Sequence, residues 1–307
     1  MTNQRERSLG PDVKIPYLGF GTYLISDGEA AAAVHEAIRA GYRHVDTAEF
    51  YENESGVGEG IRRALKSEGL SRSDVFVTTK LSPGNAAWGQ TPKTTETTIT
   101  SLRESLERLG LDYVDLYLIH APFEREQRLA QWRGLVALKE QKKARAIGVS
   151  NFNVAHLKEL EAAGLPRPQA NQIELHPWSQ KPELVRYLEQ QGIVPIAYSS
   201  LVPLATWRSA PGHASSKTEA MKADGLRADS PFKKMAQKYG VSEAQVLLRW
   251  GVQKGYPVLP KSTNPERLRQ NADVFSFALD GADMAAIEKM DRGDGVAWSV
   301  GDPTKAV

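Results

Sequence analysis

The chain has 307 residues, a formal net charge of +2 and no cysteine. Its hydrophobic share of 41% and charged share of 25% are those of a globular protein, which excludes a disordered or fibrous chain. The near-neutral charge gives no general case for binding nucleic acid or an anionic membrane. The lack of cysteine excludes disulfides, thiolate catalysis and cysteine-ligated metal centres.

The N-terminal residues and the lack of a long apolar run predict a cytoplasmic protein. Residues 1–10 lack the apolar stretch of a secretory signal. No run of about 18 apolar residues occurs, which is the length needed to span a membrane. We therefore expect neither a membrane nor nucleic acid among the partners of this protein.

Short β-rich runs alternate with longer amphipathic stretches along the chain. In chain order, the predicted strands are 17–21, 44–46, 75–79, 115–119, 146–150, 170–174, 194–198 and 257–259. The predicted helices that follow them are 29–40, 54–67, 97–109, 129–140, 154–163, 182–191, 242–253 and 265–275. A long irregular stretch separates the seventh strand from the helix at 242–253.

Eight strand–helix units in a chain of this size predict a (β/α)8 TIM barrel, an α/β fold, as one domain over residues 1–307. No Gly-x-Gly-x-x-Gly motif follows the first strand, which argues against a Rossmann domain. Residues 9–16 predict an N-terminal β-hairpin around Pro11 and Asp12 that plugs the barrel bottom. Residues 202–231 predict a long loop at the C-terminal face that acts as a lid over a ligand.

Polar residues stand at or just past the C-terminal ends of the predicted strands, where barrel enzymes place their active sites. They are Asp46, Lys80, His120, Ser150, Glu174, Tyr198 and Lys261. They belong to short motifs at 19–22, 46–54, 80–81, 116–120, 148–152, 171–177 and 260–267. In order and spacing these motifs resemble the aldo-keto reductase family over essentially the whole chain.

The resemblance implies a barrel that binds NADPH and reduces a small-molecule carbonyl substrate. It also implies a catalytic tetrad, for which the matching positions are Asp46, Tyr51, Lys80 and His120. Tyr51 is then the proton donor, and Lys80 beside it lowers the pKa of a phenol that ordinarily lies near 10. Asp46 holds and orients Lys80, while a neutral His120 aligns the carbonyl oxygen.

The cofactor residues divide between the nicotinamide and the adenosine phosphate. Ser150, Asn151 and Gln172 carry donors and acceptors that complement a carboxamide, and Tyr198 matches the family residue that stacks on the nicotinamide ring. The further cofactor positions at the strand ends are Gly21, Thr22, Ser199 and Leu201. The loop at 199–202 lacks a Pro-Leu-Gly sequence that is common in relatives. Whether this loop wraps around the pyrophosphate therefore stays an open question.

The turn after the eighth strand is the clearest predicted anion site. Asn264 and Pro265 are a natural N-cap and first residue of a helix, whose unpaired N–H groups and positive dipole end favour an anion. Lys261, Ser262 and Arg267 suit the 2′-phosphate that NADPH has and NADH lacks. The remaining cofactor positions here are Thr263, Gln270 and Asn271, the last two at positions that contact adenine in relatives.

The substrate pocket departs from the best-known relatives. Tyr23, Ser82 and Ala121 each stand where tryptophan is common in the family. The loss of two indoles beside the tetrad predicts a wide pocket for bulky or aromatic aldehydes and ketones, part of which Trp88 or Trp298 refills. Because relatives are often monomeric, we expect a monomer.

Two other interpretations of the same residues stay open. One is a non-catalytic NADPH-binding regulatory or structural protein on this fold, although the complete tetrad favours an enzyme. The other is a metal-dependent barrel hydrolase with His120 and Asp46 as ligands, for which the sequence offers no second histidine at a strand end. We therefore predict no metal.

Overall fold

Residues 5–204, 229–293, 295, 298 and 301–306 are described by a computed structural model of the protein. The strands are β1 (Glu6–Gly10), β2 (Val13–Pro16), β3 (Phe20–Gly21), β4 (His44–Asp46), β5 (Phe76–Leu81), β6 (Val114–Ile119), β7 (Ala144–Ser150), β8 (Ala170–Glu174) and β9 (Val194–Tyr198). The helices are α1 (Asp27–Arg39), α2 (Glu54–Glu68), α3 (Thr95–Leu109), α4 (Arg128–Glu140), α5 (Val154–Ala162), α6 (Pro182–Gln190), α7 (Pro231–Tyr239), α8 (Glu243–Gln253), α9 (Pro265–Ala272) and α10 (Gly281–Glu288).

Strands β3 to β9 form one parallel sheet in which sequential strands are neighbours. The ring closes through Val258, which bridges Leu18 before β3 on one side and Ala197 of β9 on the other. The Val258 N–H donates to the Tyr17 carbonyl at 2.8 Å, and its own carbonyl accepts the Gly19 N–H at 2.9 Å. The predicted (β/α)8 barrel is confirmed.

The eighth strand is shorter than the predicted 257–259. Only Val258 forms ladder bridges, because Pro257 and Pro260 on either side of it have no N–H to donate. The first barrel strand is likewise regular only over Phe20–Gly21 rather than 17–21, with the Leu18 bridge before it. The seam of the barrel is therefore where the backbone pairing is thinnest.

Helices α1 to α6, α8 and α9 lie where periodicity predicts them, but α7 and α10 were not predicted. The α7 segment was assigned to the irregular stretch, although Phe232, Met235 and Ala236 are buried at helical spacing and Pro231 opens the helix. In α10 only Ile287 is buried, so the helix has almost no apolar periodicity to read. Of the predicted lid at 202–231, residues 205–228 lie outside the described residues, and Val202–Leu204 form a 3₁₀ turn.

The predicted N-terminal hairpin is confirmed. Strands β1 and β2 pair antiparallel around a turn at Pro11 and Asp12. Leu9, Val13 and Ile15 of the hairpin are buried against the apolar side chains that fill the lower barrel lumen. The side chain of Gln169, the residue before β8, donates to the Leu9 carbonyl at 2.7 Å. This bond fixes the hairpin to the bottom of the barrel.

Candidate active site

Strand periodicity brings the chemistry-bearing side chains into the upper barrel lumen. Alternate residues of a strand face the same side of the sheet, and Phe76 and Leu118 lie in the lower lumen core. Lys80 and His120 follow them in the same phase and so face the lumen near the strand ends. The same count from Ala146, Ala170 and Ile196 places Ser150, Gln172 and Tyr198 there.

The Lys80 ammonium joins three elements of the site. Its Nζ donates to Asp46 Oδ1 at 2.6 Å and to the Thr47 carbonyl at 2.8 Å. Its third contact is the Tyr51 hydroxyl oxygen at 3.4 Å. Tyr51 ends a 3₁₀ turn (Glu49–Tyr51) that follows β4, so Asp46 at the end of β4 and Tyr51 in the next loop both reach Lys80 of β5.

The charge of Lys80 depends on its partner carboxylate. Lys80 is wholly buried and Asp46 is 3% exposed. Burial lowers the pKa of Lys80, and the negative charge of Asp46 together with their hydrogen bond opposes that shift. Because a buried cation without a counter-charge is strongly unfavourable, the pair acts as a unit.

His120 lies at the end of β6 against the Tyr51 ring. Their ring centroids are 5.4 Å apart with an interplanar angle of 73°, an edge-to-face arrangement. Burial, and then the positive charge of Lys80, holds the pKa of His120 well below its usual range. The imidazole is therefore neutral at physiological pH, as the sequence analysis expects. With it, all four predicted catalytic residues meet in one site.

The three predicted carboxamide ligands lie side by side at the ends of β7 and β8. Ser150 Oγ donates to the Gln172 carbonyl at 2.7 Å, and Asn151 Nδ2 donates to the His120 carbonyl and to Ser150 Oγ, both at 3.0 Å. Asn151 has φ of 64°, a left-handed conformation that asparagine tolerates. The Gln172 side chain does something the sequence did not predict: its Nε2 donates to Asp46 Oδ2 at 2.7 Å.

Tyr198 and Trp298 are linked by hydrogen bonds across the mouth of the barrel. The Tyr198 hydroxyl donates to Asn151 Oδ1 at 2.7 Å and accepts from Trp298 Nε1 at 2.9 Å. The Trp298 ring centroid is 5.9 Å from that of His120. The predicted stacking residue and the predicted substrate residue of the C-terminal segment are thus in one network.

The predicted phosphate site is a set of exposed side chains at the start of α9. Lys261, Thr263 and Arg267 are exposed and Ser262 is half-buried. The N–H groups of Glu266 and Arg267, which were expected to be unpaired, are both taken by the Asn264 side chain, at 2.9 and 3.1 Å. An anion here would therefore bind mainly to the side chains.

The other predicted cofactor residues occupy varied positions. Gly21 and Thr22 are buried at the end of β3, and the Thr22 hydroxyl donates to the Asp46 carbonyl at 3.1 Å. Ser199 and Leu201 are half-buried after β9, where Ser199 has φ of 58°. Near the end of α9, Gln270 is exposed and Asn271 is buried.

The predicted substrate residues line the rim above the catalytic residues. The Tyr23 ring lies 5.0 Å from that of Tyr51, centroid to centroid. Ala121 is buried directly after His120, and Ser82 is half-buried directly after Leu81. Trp88 is 49% exposed in the loop between β5 and α3.

Sequence reasoning missed two aromatic residues and one carboxylate of this rim. The Phe123 ring lies 5.1 Å from Trp88 and 5.5 Å from Trp298, so it joins the two predicted indoles. Phe50 is 55% exposed and its ring is 6.2 Å from that of His120. Glu49 accepts the Ser82 N–H at 2.9 Å and Lys93 Nζ at 3.1 Å, which ties the Tyr51 loop to the next one. The closeness of these residues in sequence to Tyr51 and His120 was the available signal.

The described ranges contain neither a candidate membrane span nor a candidate metal site. No helix among the described residues has the length and apolarity needed to cross a bilayer. In the same residues, histidine, aspartate and glutamate form no group of three that would hold a metal ion.

Comparison with known proteins shows the family to which this chain belongs. The sequence model described as the Aldo/keto reductase family matches residues 17–292. The chain belongs to the aldo-keto reductase family, whose barrel oxidoreductases use NADP(H). The resemblance drawn from the motifs is thereby confirmed, and so is the cofactor class.

Three similar proteins illustrate the range of that family. The chain is 41% identical to a morphine 6-dehydrogenase of Pseudomonas putida, over 93% of this chain and 91% of that protein. It is 38% identical to a glyoxal reductase of Bacillus subtilis, over 92% of each. An aldo-keto reductase of Bombyx mori in complex with NADP has a similar structure, with a TM-score of 0.80, 35% identity and coverage of 92% and 91%.

Proposed function

We propose that this protein reduces aldehydes and ketones to alcohols with NADPH, and that Tyr51 is the proton donor. One observation carries the proposal: a buried ammonium, Lys80, contacts both a carboxylate and the Tyr51 hydroxyl, at 2.6 and 3.4 Å. A tyrosine with only a packing role does not need a buried ion pair beside its hydroxyl. A tyrosine that donates its proton does, because the cation stabilises the negative charge left on the phenol oxygen.

Each residue of the tetrad has a separate task. Tyr51 donates its proton to the carbonyl oxygen as negative charge develops there. Lys80 stabilises the negative charge left on the phenol oxygen, and Asp46 keeps Lys80 charged in its buried position. Neutral His120 offers a ring N–H to the same carbonyl oxygen, which fixes the approach of the substrate. When bound, the reduced nicotinamide supplies the hydride.

The described residues fit NADPH at both of its ends. At the nicotinamide end, Gln172 Oε1 has no hydrogen-bond donor among the described residues and can accept from a carboxamide. At the other end, Lys261 and Arg267 are exposed beside the positive end of α9, where a 2′-phosphate finds two cations and the Ser262 hydroxyl. This arrangement supports a preference for NADPH over NADH.

The substrate class rests on the small residues of the rim. Relatives of similar identity carry names that denote carbonyl or alcohol substrates of very different size. We therefore infer the substrate size from the residues that line the pocket. Ser82 and Ala121 leave room beside the tetrad, while Trp298 and Phe123 give an aromatic wall at the other side. We propose bulky or aromatic carbonyls as the preferred substrates. The monomeric state, the cytoplasmic location and the single domain over residues 1–307 stay predictions.

The direct test is turnover with a reactive aldehyde. NADPH consumption in the presence of 4-nitrobenzaldehyde, followed by absorbance at the nicotinamide band, should depend on both protein and aldehyde. A smaller aldehyde, such as glyoxal, serves as the comparison for size and should give a lower kcat/KM. NADPH binding without turnover across a broad panel of carbonyls would instead support the non-catalytic alternative.

A further inference from the structure

The bond between Gln172 and Asp46 crosses the barrel. Gln172 comes from β8 and Asp46 from β4, strands separated by three others in the ring. Both side chains are almost fully buried, at 2% and 3% exposed, and the bond is 2.7 Å long. A contact this short between residues 126 positions apart is a specific feature of the lumen.

The bond completes the hydrogen bonding of the Asp46 carboxylate. Lys80 holds Oδ1 and Gln172 holds Oδ2, so each oxygen has its own donor. A carboxylate held at one oxygen is free to rotate about its side-chain bonds, whereas one held at both has a fixed plane. Gln172 therefore fixes the direction in which Asp46 presents its charge to Lys80, and through Lys80 the place of the cation beside Tyr51.

The orientation of the Gln172 amide follows from its partner. An ionised carboxylate only accepts, so the amide must turn its NH₂ to Asp46. Oε1 is then left without a donor among the described residues, while the main-chain carbonyl of Gln172 accepts hydrogen bonds from Ser150 and Asn151. One amide group thus has its donor on the catalytic carboxylate and its acceptor at the place expected to receive the nicotinamide carboxamide.

We propose that Gln172 is a positioning residue for proton transfer, which links the cofactor carboxamide to Tyr51 through Asp46 and Lys80. This inference rests on the proposed function of the tetrad. It goes beyond cofactor binding, because it assigns to Gln172 an effect on the rate with cofactor already bound. A displacement of a catalytic group by about 1 Å can lower the rate about 100-fold, even when the mutated residue lies away from the chemistry.

Two substitutions at this position have opposite expected effects on the pH profile. In Gln172→Met the Asp46 carboxylate loses one donor, the ion pair loosens, and Lys80 gives up its proton at lower pH. In Gln172→Glu two carboxyl groups stand within hydrogen-bond distance and share one proton. Once that proton is lost at alkaline pH, the second negative charge makes Lys80 and Tyr51 hold their protons more tightly. The charged and titratable groups that surround Lys80 and take part in this balance are Asp46, Glu54, Tyr51, His44 and His120.

The experiment measures kcat between pH 5 and 10 with NADPH and 4-nitrobenzaldehyde both saturating, alongside the Kd of NADPH from fluorescence. We expect Gln172→Met to lower kcat about 10-fold and to move the alkaline limb to lower pH. We expect Gln172→Glu to move that limb to higher pH. Each shift should be on the order of half a pH unit.

Gln169→Met is the matched control. It removes the same amide from the residue directly before β8, at the bottom of the barrel, where the Gln169 side chain donates to the Leu9 carbonyl of the hairpin. This variant should lose thermal stability and keep the wild-type pH profile.

The outcomes separate the inference from the function on which it rests. A wild-type protein that does not turn over would remove the proposed function itself. If the wild type is active, a raised Kd for NADPH with unchanged kcat and pH profile in both Gln172 variants would leave Gln172 as a cofactor ligand only. That result, or limbs that move in the same direction, would overturn the inference.

Discussion

The floor of the site, formed by Asp46, Tyr51, Lys80 and His120, and the turn after the eighth strand both rely on lysine, but in different surroundings. Lys80 is wholly buried in the floor and held by a carboxylate at 2.6 Å, while Lys261 at the turn is exposed. In the floor the charge is held by its ion pair and weakly screened, whereas at the turn it faces solvent and is screened by salt. A buried pair therefore suits catalysis, where geometry decides, and an exposed cluster suits selection of a charged ligand.

The largest expected effect comes from the floor. Tyr51→Phe removes only the hydroxyl that gives up the proton, so kcat should fall about 10³-fold. The proposed phosphate site at the turn lies apart from this hydroxyl, so the Kd of NADPH should stay within about twofold of the wild-type value. Turnover assays and fluorescence titration measure the two quantities. Near-normal turnover in this variant would show that the proton comes from elsewhere.

Matched lysine substitutions compare the two regions directly. Lys80→Met leaves Asp46 buried without its counter-charge, so we expect a loss of about 3 kcal/mol in the free energy of unfolding and about 100-fold in kcat. Lys261→Met should change the free energy of unfolding by less than about 0.5 kcal/mol. Urea denaturation measures the free energy of unfolding of both variants, and turnover assays measure kcat. Equal losses in the free energy of unfolding of the two variants would contradict the proposed difference between floor and turn.

The turn should instead control the choice of cofactor. Lys261→Ala combined with Arg267→Ala should raise the Kd of NADPH about 30-fold, because each exposed charge-assisted contact contributes about 1 kcal/mol. The Kd of NADH, which has no 2′-phosphate, should change little. Added salt should weaken NADPH binding to the wild type more than to the double variant. Equal weakening of both cofactors would mean that the phosphate binds elsewhere.

Buried histidines near the floor make stability depend on pH. Burial and the charge of Lys80 lower the pKa of His44 to about 3, whereas the unfolded chain binds that proton near pH 6.5. The free energy of unfolding should therefore fall, by about 1.4 kcal/mol per pH unit for this residue, as the pH drops below 6.5. His44→Gln should flatten the dependence measured by urea denaturation at pH 7, 6 and 5. An unchanged slope would contradict the assignment.

The sequence predicted the parts of the site that depend on strand ends and on the family motifs. Asp46, Lys80 and His120 stand at or next to the C-terminal ends of barrel strands, so their convergence follows once the barrel is inferred. The assignment of these three residues and Tyr51 as a catalytic tetrad came from the family resemblance.

Features that depend on contacts between distant segments could not be predicted from the sequence. Nothing near Gln172 in sequence indicates that its amide crosses the lumen to Asp46, and nothing near Tyr198 indicates its bond to Trp298. The reduction of the eighth strand to Val258 had a local signal in the flanking prolines. Helix α10 had almost none, because a helix with one buried residue carries little periodicity.

A double-mutant cycle on Tyr51 and Lys80 tests the central claim most directly. The measurement is the single-turnover rate of NADPH oxidation by 4-nitrobenzaldehyde in the wild type, Tyr51→Phe, Lys80→Met and the double variant. If Lys80 acts through the Tyr51 hydroxyl, the double variant should react about as fast as Tyr51→Phe alone, because groups that act as a unit are not additive. Losses that multiply would contradict the claim, since Lys80 would then act on the reaction independently of Tyr51.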